Sequence, residues 1–252
     1  MTKRKSFAPL RALSRLQASL TKRLFWRRHL AEATETIQAL RTELPTPEMQ
    51  MTLAYLFQGK GYYQTLGLKQ NMVELLGLVN VLRRQPLQRV CEIGTFKGGT
   101  LFVWCQLAVP DAQLISIDLP GGQFGGGYHE RSLPFFQAFC QPGQALQCLR
   151  GSSHDAGIRA EFTQTLGGNK LDFLFIDGDH SYAGVKQDFE FYSQHVRAGG
   201  LIAFHDIVRR ERQPDIQVHR FWNEVKAQYR HEEFIEPSAE RRKIGIGLIY
   251  KD

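Results

Sequence analysis

Two short runs, Asp177-Gly178-Asp179-His180 and His205-Asp206, hold the side chains of this 252-residue chain best suited to chemistry. Carboxylates and imidazoles are donors for divalent metals, and an imidazole exchanges protons near neutral pH. The first run follows Leu-Asp-Phe-Leu-Phe-Ile, the second Gly-Gly-Leu-Ile-Ala-Phe. Apolar runs without a polar face predict strands buried on both sides of a parallel sheet. Between them Val185, Phe189, Tyr192 and Val196 recur at spacings of four, three and four, one face of a helix that Gly199 and Gly200 would end. Parallel strands joined by such a crossover point their C-terminal ends at one sheet edge, where ligands of open α/β sheets bind. Asp177, Asp179, His180, His205 and Asp206 are therefore expected to converge. The competing reading is a hydrogen-bonded turn in which Asp179 or Ser181 caps the next helix.

The elements that position these groups are read from the same patterning. Strands are expected near Val90–Ile93, Leu114–Asp118, Leu146–Arg150, Leu171–Asp177 and Leu201–His205, followed by a helix around His219–Tyr229 and a terminal hairpin in the last residues. Two helical segments, residues 31–44 and 71–84, precede the strands, with Pro45 and Pro47 breaking the pattern between them. The whole reads as an α/β chain: a Rossmann-like, doubly wound, mostly parallel sheet with a C-terminal antiparallel hairpin and a helical N-terminal extension. Its expected parts are a leader (1–30), a helical segment (31–85) and the sheet domain (86–252).

After the first strand, Val-Cys-Glu-Ile-Gly-Thr-Phe-Lys-Gly-Gly-Thr supplies Gly94 and Gly98, which allow a tight turn and close backbone approach before a helix near Gly99 or Thr100. The spacing matches neither the dinucleotide fingerprint nor the triphosphate P-loop. Asp118 closes the second strand 24 residues past Gly94, where a carboxylate can accept both hydroxyls of a ribose. The loop 121–132 suits a substrate lid or a surface loop, with His129 and Glu130 as groups that would reach substrate from a lid. His219, Trp222 and Tyr229 read as helix core or interface.

The net charge of +7 is local. Lys3, Arg4, Lys5, Arg11, Arg15, Lys22, Arg23, Arg27 and Arg28 precede the first acid, Glu32, and the rest of the chain, with 23 Lys and Arg against 25 Asp and Glu, is near −2. Leu13, Leu16, Leu20 and Leu24 make this leader a basic amphipathic helix. It suits peripheral docking on an anionic membrane, or packing on the domain or on a second subunit of a homo-oligomer, or an organelle transit peptide. Nucleic-acid binding is not expected, because the basic residues carry no aromatic platform or recognisable motif. Cys91, Cys105, Cys140 and Cys148 form no CxxC pair and read as reduced thiols of a cytoplasmic protein.

Together, Glu-Ile-Gly-Thr-Phe-Lys-Gly-Gly, Ile-Ser-Ile-Asp-Leu-Pro, Arg-Gly-Ser-Ser-His-Asp and the two acidic runs resemble the class I S-adenosylmethionine-dependent methyltransferases, specifically the metal-dependent O-methyltransferases. The core is similar to catechol O-methyltransferase and, in texture, to bacterial macrolide-sugar and cephalosporin-type methyltransferases. The resemblance spans roughly residues 88–210. It implies S-adenosylmethionine as cofactor, with Glu92, Gly94, Phe96 and Gly98 forming its first loop, Asp118 on the ribose, and Ser153 and His154 at the adenine. It implies a divalent metal at Asp177 and Asp206, with His205 where relatives carry an acid, and His180 as general base. Magnesium is the family's metal, and an imidazole ligand leaves manganese, iron or zinc open.

The expected activity is metal-assisted methyl transfer to a hydroxyl of a small molecule, with a sugar or glycosylated metabolite suggested by analogy alone. A metal-dependent hydrolase and a non-catalytic cofactor-binding scaffold at a membrane are the rivals. A hydrolase has no need of the Gly94–Asp118 pair.

Overall fold

A computed structural model describes residues 20–120, 127–237 and 244–252. Seven strands form one sheet in the order β3-β2-β1-β4-β5-β7-β6. They are β1 (Arg89–Ile93), β2 (Gln113–Asp118), β3 (Ala145–Arg150), β4 (Leu171–Ile176), β5 (Val196–His205), β6 (His231–Phe234) and β7 (Ile246–Tyr250). The first five are parallel, and β7 pairs antiparallel with both β5 and β6. This is the expected doubly wound sheet with a C-terminal hairpin. Chain order reverses between β1 and β4, so a crevice opens beyond their C-terminal ends.

The central strands bury alternate residues on opposite faces, the period-2 consequence of the pleat. Phe173 and Phe175 of β4 join one core with Val90 and Leu114, while Leu174 and Ile176 join a second with Cys91, Ile93 and Ile117. The first core is closed by α1 (Trp26–Glu43), α2 (Pro47–Leu56), α3 (Met72–Leu82), α4 (Gly99–Leu107) and α5 (Leu133–Gln137). Ala33, Ile37 and Met51 of the N-terminal helices are buried in it beside sheet residues. The second core is closed by α6 (Ala156–Leu166), α7 (Tyr182–Tyr192) and α8 (Val218–Val225).

Some expectations are revised locally. Pro47 does not interrupt a helix but starts α2 at its first turn, where its missing N–H costs nothing, and Thr46 Oγ1 accepts the Met49 N–H as the cap. Helix α7 ends at Tyr192, so Val196 opens β5, and Gly199 and Gly200 lie inside that strand. The β4–β5 register runs from Leu171 opposite Val196 to Phe173 opposite Leu201, an irregularity that absorbs both glycines. The hairpin begins at His231, and buried Glu74 of α3 holds its two ends, accepting the Glu236 N–H at 3.1 Å and the Gly245 N–H at 3.0 Å. Most of the leader, and part of the 121–132 loop, lie outside the described residues. Among those described, no helix is long and apolar enough to cross a membrane.

Candidate active site

The crevice is a cleft of about 1180 Å³ lined by both acidic runs and by the glycine loop. Its construction starts at Gly94, which has φ +91° and sits where a Cβ would come within 2.0 Å of the Asp177 carbonyl oxygen. The backbone after β1 therefore touches the backbone after β4, an approach open only to glycine. Phe96 follows with a left-handed φ of 52°, a conformation uncommon outside glycine and typical of functional turns.

Asp118 holds this loop. Its Oδ2 accepts the Thr95 N–H at 2.9 Å, the Phe96 N–H at 2.6 Å and the Gly127 N–H at 3.3 Å, while Oδ1 accepts the Leu119 N–H at 2.7 Å. Burial raises its pKa, against the lowering effect of these donors. Oδ1, with a second lone pair, is the oxygen left to serve a ligand hydroxyl.

Glu92 is fully buried and does not line the cleft; it accepts the Trp104 indole N–H at 2.9 Å, and burial pushes its pKa up to about 8. It braces β1 against α4. Gly98 faces Phe136 and Phe139 rather than the cleft, its φ of +86° providing the N-terminal turn of α4. Ser153 and His154 line the far end, where His154 Nε2 stands 3.1 Å from Asp188 Oδ1, a contact that raises the imidazole's pKa.

At the β4 and β5 ends, donor atoms of Asp177, His180 and Asp206 lie within 4.8 Å of one another. His180 Nδ1 is 2.6 Å from Asp206 Oδ2, and Nε2 is 3.8 Å from Asp177 Oδ1. Burial holds the pKa of His180 down, opposed by Asp177. Asp206 adopts φ 65°, a strained turn that aims its carboxylate back into the group. His205 Nδ1 lies 2.9 Å from Asp177 Oδ1, and its buried Nε2 has no hydrogen-bond partner among the described residues. The structure thus brings His180 into the donor group and sets His205 behind Asp177. Asp179 lines the cleft but also caps the following turn, accepting the Ser181 N–H at 2.8 Å, and Ser181 Oγ in turn accepts the Gly184 N–H at 3.0 Å. The capping reading and the convergence reading both hold for this run.

Two further groups were not singled out by sequence. Gln70 donates to Asp177 Oδ2 at 2.7 Å from 107 residues away, and Arg210 is ion-paired with Asp206. The i,i+4 spacing of Asp206 and Arg210 was visible; the reach of Gln70 was not, because it depends on tertiary packing. Among the loop residues, His129 stacks on Tyr62 with ring centroids 4.9 Å apart and Glu130 points to Arg150 at 4.0 Å, and neither lines the cleft. Trp222 is core, as expected.

Residues 91–207 match the family described as a methyltransferase domain. An uncharacterised protein of Acanthamoeba polyphaga mimivirus is 36% identical over 132 residues, 52% of this chain and 57% of that relative, so the chain spans little more than half its length. An O-methyltransferase from Bacillus cereus, solved with SAH, superposes with a TM-score of 0.52 at 15% identity over 89% of this chain and 91% of its own. The O-methyltransferase TomG of Streptomyces achromogenes, involved in tomaymycin synthesis and solved with SAM, gives 0.53 at 15% identity over 88% and 90%. At such identities these likenesses establish the fold. The architecture is the Rossmann-like fold of these O-methyltransferase structures. The chain thus carries, in residues 91–207, a region similar to the methyltransferase-domain family.

Proposed function

We propose that the protein transfers the methyl group of S-adenosylmethionine to a hydroxyl of a small molecule, assisted by a divalent metal. The observation that carries this reading is the opening of the Asp177, His180 and Asp206 donor group into the same cleft as the Gly94–Asp118 loop. The cofactor would lie along that loop, with Gly94 and Phe96 at its methionine end, Asp118 Oδ1 on the ribose, and Ser153 and His154 near the adenine.

The residues present fit a metal by chemistry and spread. The two carboxylates are donors that magnesium or manganese accepts, and the adjacent imidazoles leave iron or zinc open. Asp177 and Asp206 would hold the ion, and His205, bonded to Asp177, would orient that ligand. A divalent ion there would lower the pKa of an acceptor hydroxyl and fix its direction. His180, kept neutral at pH 7 by burial, would accept the hydroxyl proton. The rest of catalysis is alignment of acceptor oxygen, methyl carbon and sulfur, since a sulfonium methyl needs no further activation.

Calorimetry with S-adenosylmethionine, followed by a screen of hydroxylated acceptors that reads release of S-adenosylhomocysteine with and without chelator, tests this. Cofactor binding with chelator-sensitive turnover is expected. Turnover undiminished in metal-free protein removes the metal, and absence of cofactor binding removes the reading.

A peripheral contact with anionic membrane belongs to the same proposal. Leu20, Leu24 and Phe25 are about half or more exposed, beside Lys22, Arg23, Arg27 and Arg28, the apolar and cationic pairing of an interfacial helix.

A further inference from the structure

Several cationic side chains, Lys69, Arg209, Arg210 and Arg212, line the same cleft as the donor group. Lys69 is exposed and lines the cleft, and its neighbour Gln70 bonds to Asp177. Its ammonium lies 5.9 Å from the centre of the Phe96 ring, and that of Lys97 lies 5.4 Å from the same ring. Two like charges are thus held against one aromatic side chain. The Lys97 ammonium is held below its ordinary pKa, by burial first and then by Lys69 and Lys22.

From β5 the chain continues as Arg209-Arg210-Glu211-Arg212, all four lining the cleft. Arg210 is occupied by Asp206 and by Gln213, the latter at 2.9 Å. Arg209 and Arg212 are exposed, and neither has an ion-pair or hydrogen-bond partner among the described residues. Glu211 is the single acid of that segment.

A sulfonium cofactor presents one carboxylate, which a single cation can meet, so Lys69, Arg209 and Arg212 lining one cleft exceed what it needs. Guanidinium forks match phosphate oxygens with two parallel hydrogen bonds, and lysines add point charge. The cleft, at about 1180 Å³, also exceeds the roughly 300–1,000 Å³ that one drug-sized ligand fills. It has room for a cofactor and a second, extended ligand.

We infer that the acceptor carries a phosphate or diphosphate group beside its hydroxyl, and that Lys69, Arg209 and Arg212 grip this group while the hydroxyl is presented to Asp177, His180 and Asp206. The inference rests on the methyl-transfer reading and names its substrate class. The phosphate has two possible sources, a soluble metabolite or the headgroup of a lipid, and Lys22 of the leader lies near enough to Lys97 to act on its charge.

The test uses the full chain saturated with S-adenosylhomocysteine in chelator, titrated with inorganic pyrophosphate. Pyrophosphate is expected to bind, and the Arg209→Gln/Arg212→Gln double variant to bind it at least tenfold more weakly with unchanged affinity for S-adenosylhomocysteine. Lys69→Gln is expected to act in the same direction. A parallel arm measures vesicles of phosphatidylcholine with phosphatidic acid. Loss of vesicle binding in the double variant, competed by pyrophosphate, assigns the grip to a lipid headgroup; pyrophosphate binding with vesicle binding unaffected assigns it to a soluble acceptor.

Pyrophosphate binding that the variants do not weaken, or that S-adenosylhomocysteine displaces, overturns the inference, as does absence of pyrophosphate binding together with vesicle binding that the double variant does not lower. In each of these cases intact S-adenosylhomocysteine binding leaves the methyl-transfer reading standing. Failure to bind S-adenosylhomocysteine overturns both.

Discussion

Gly94 has a position no side chain can share. A Cβ there needs both a positive φ and the space taken by the Asp177 carbonyl, and neither backbone can yield without moving a strand end. Gly94→Ala is therefore expected to lower stability by roughly 2–4 kcal/mol and to abolish cofactor binding, as read by thermal melting and calorimetry. Glu92 supports a different expectation, tied to pH. Its folded pKa of about 8 lies above the ordinary value of 4.5, so the protonated side chain favours the fold and its contribution is lost as pH rises from about 4.5 through about 8. Glu92→Gln keeps an oxygen for the Trp104 N–H but cannot ionise. Urea denaturation at pH 5 and pH 8.5 should show wild type losing stability by roughly 2–4 kcal/mol more than the variant over that interval. Equal losses in the two proteins would mean that Glu92 does not hold its proton in the fold. For His180, the expected result of His180→Ala is a roughly 10²–10⁴-fold slower methyl transfer with cofactor affinity retained, measured by single-turnover kinetics. A variant that instead needs more metal for full rate would assign His180 to the ligand set.

Among the elements, the central strands were legible because burial on both faces leaves a continuous apolar run, as in Leu171–Ile176. Helix α2 was not, since Pro47 has opposite meanings inside a helix and at its first position, and only the Thr46 cap separates them. Gly199 and Gly200 misled in the other direction: glycines that usually end a helix here sit in the irregular start of β5. At the site, the acidic strand ends and the glycine loop were readable from local pattern. Gln70, the Asp118 hydrogen bonds to the loop, and the placement of His180 ahead of His205 were not, because each depends on segments far apart in sequence. Glu74 is a further case. Glu74→Ala leaves the buried Gly245 N–H without its acceptor and frees the Glu236 end, so a loss of about 2–4 kcal/mol is expected, with Glu74→Gln retaining part of it. Chemical denaturation of both variants checks this. For the leader, deletion of residues 1–28 is expected to end binding to anionic vesicles while leaving cofactor affinity unchanged, and wild-type binding should fall with salt. A truncated protein that dissociates from an oligomer, with no vesicle binding in wild type, would favour the packing role.

At the scale of the molecule, the N-terminal helices share their core with the sheet, and the segment joining α2 to α3 brings Lys69 and Gln70 to the cleft. Residues before the matched 91–207 therefore supply part of the site that those residues alone would lack. The contact of Gly94 with the Asp177 backbone, reinforced by the 2.8 Å hydrogen bond from the Asp177 N–H to the Ile93 carbonyl, has a thermodynamic consequence. The loop proposed for the cofactor and the strand end proposed for the metal are joined by this backbone contact. A ligand that settles one is expected to change the free energy of settling the other, and linkage makes any such effect mutual. Manganese titrated with and without S-adenosylhomocysteine should show different affinities, and the cofactor should shift by the same factor when manganese is held saturating. The two sites would then load as a coupled pair, with the glycine contact as the point through which each senses the other.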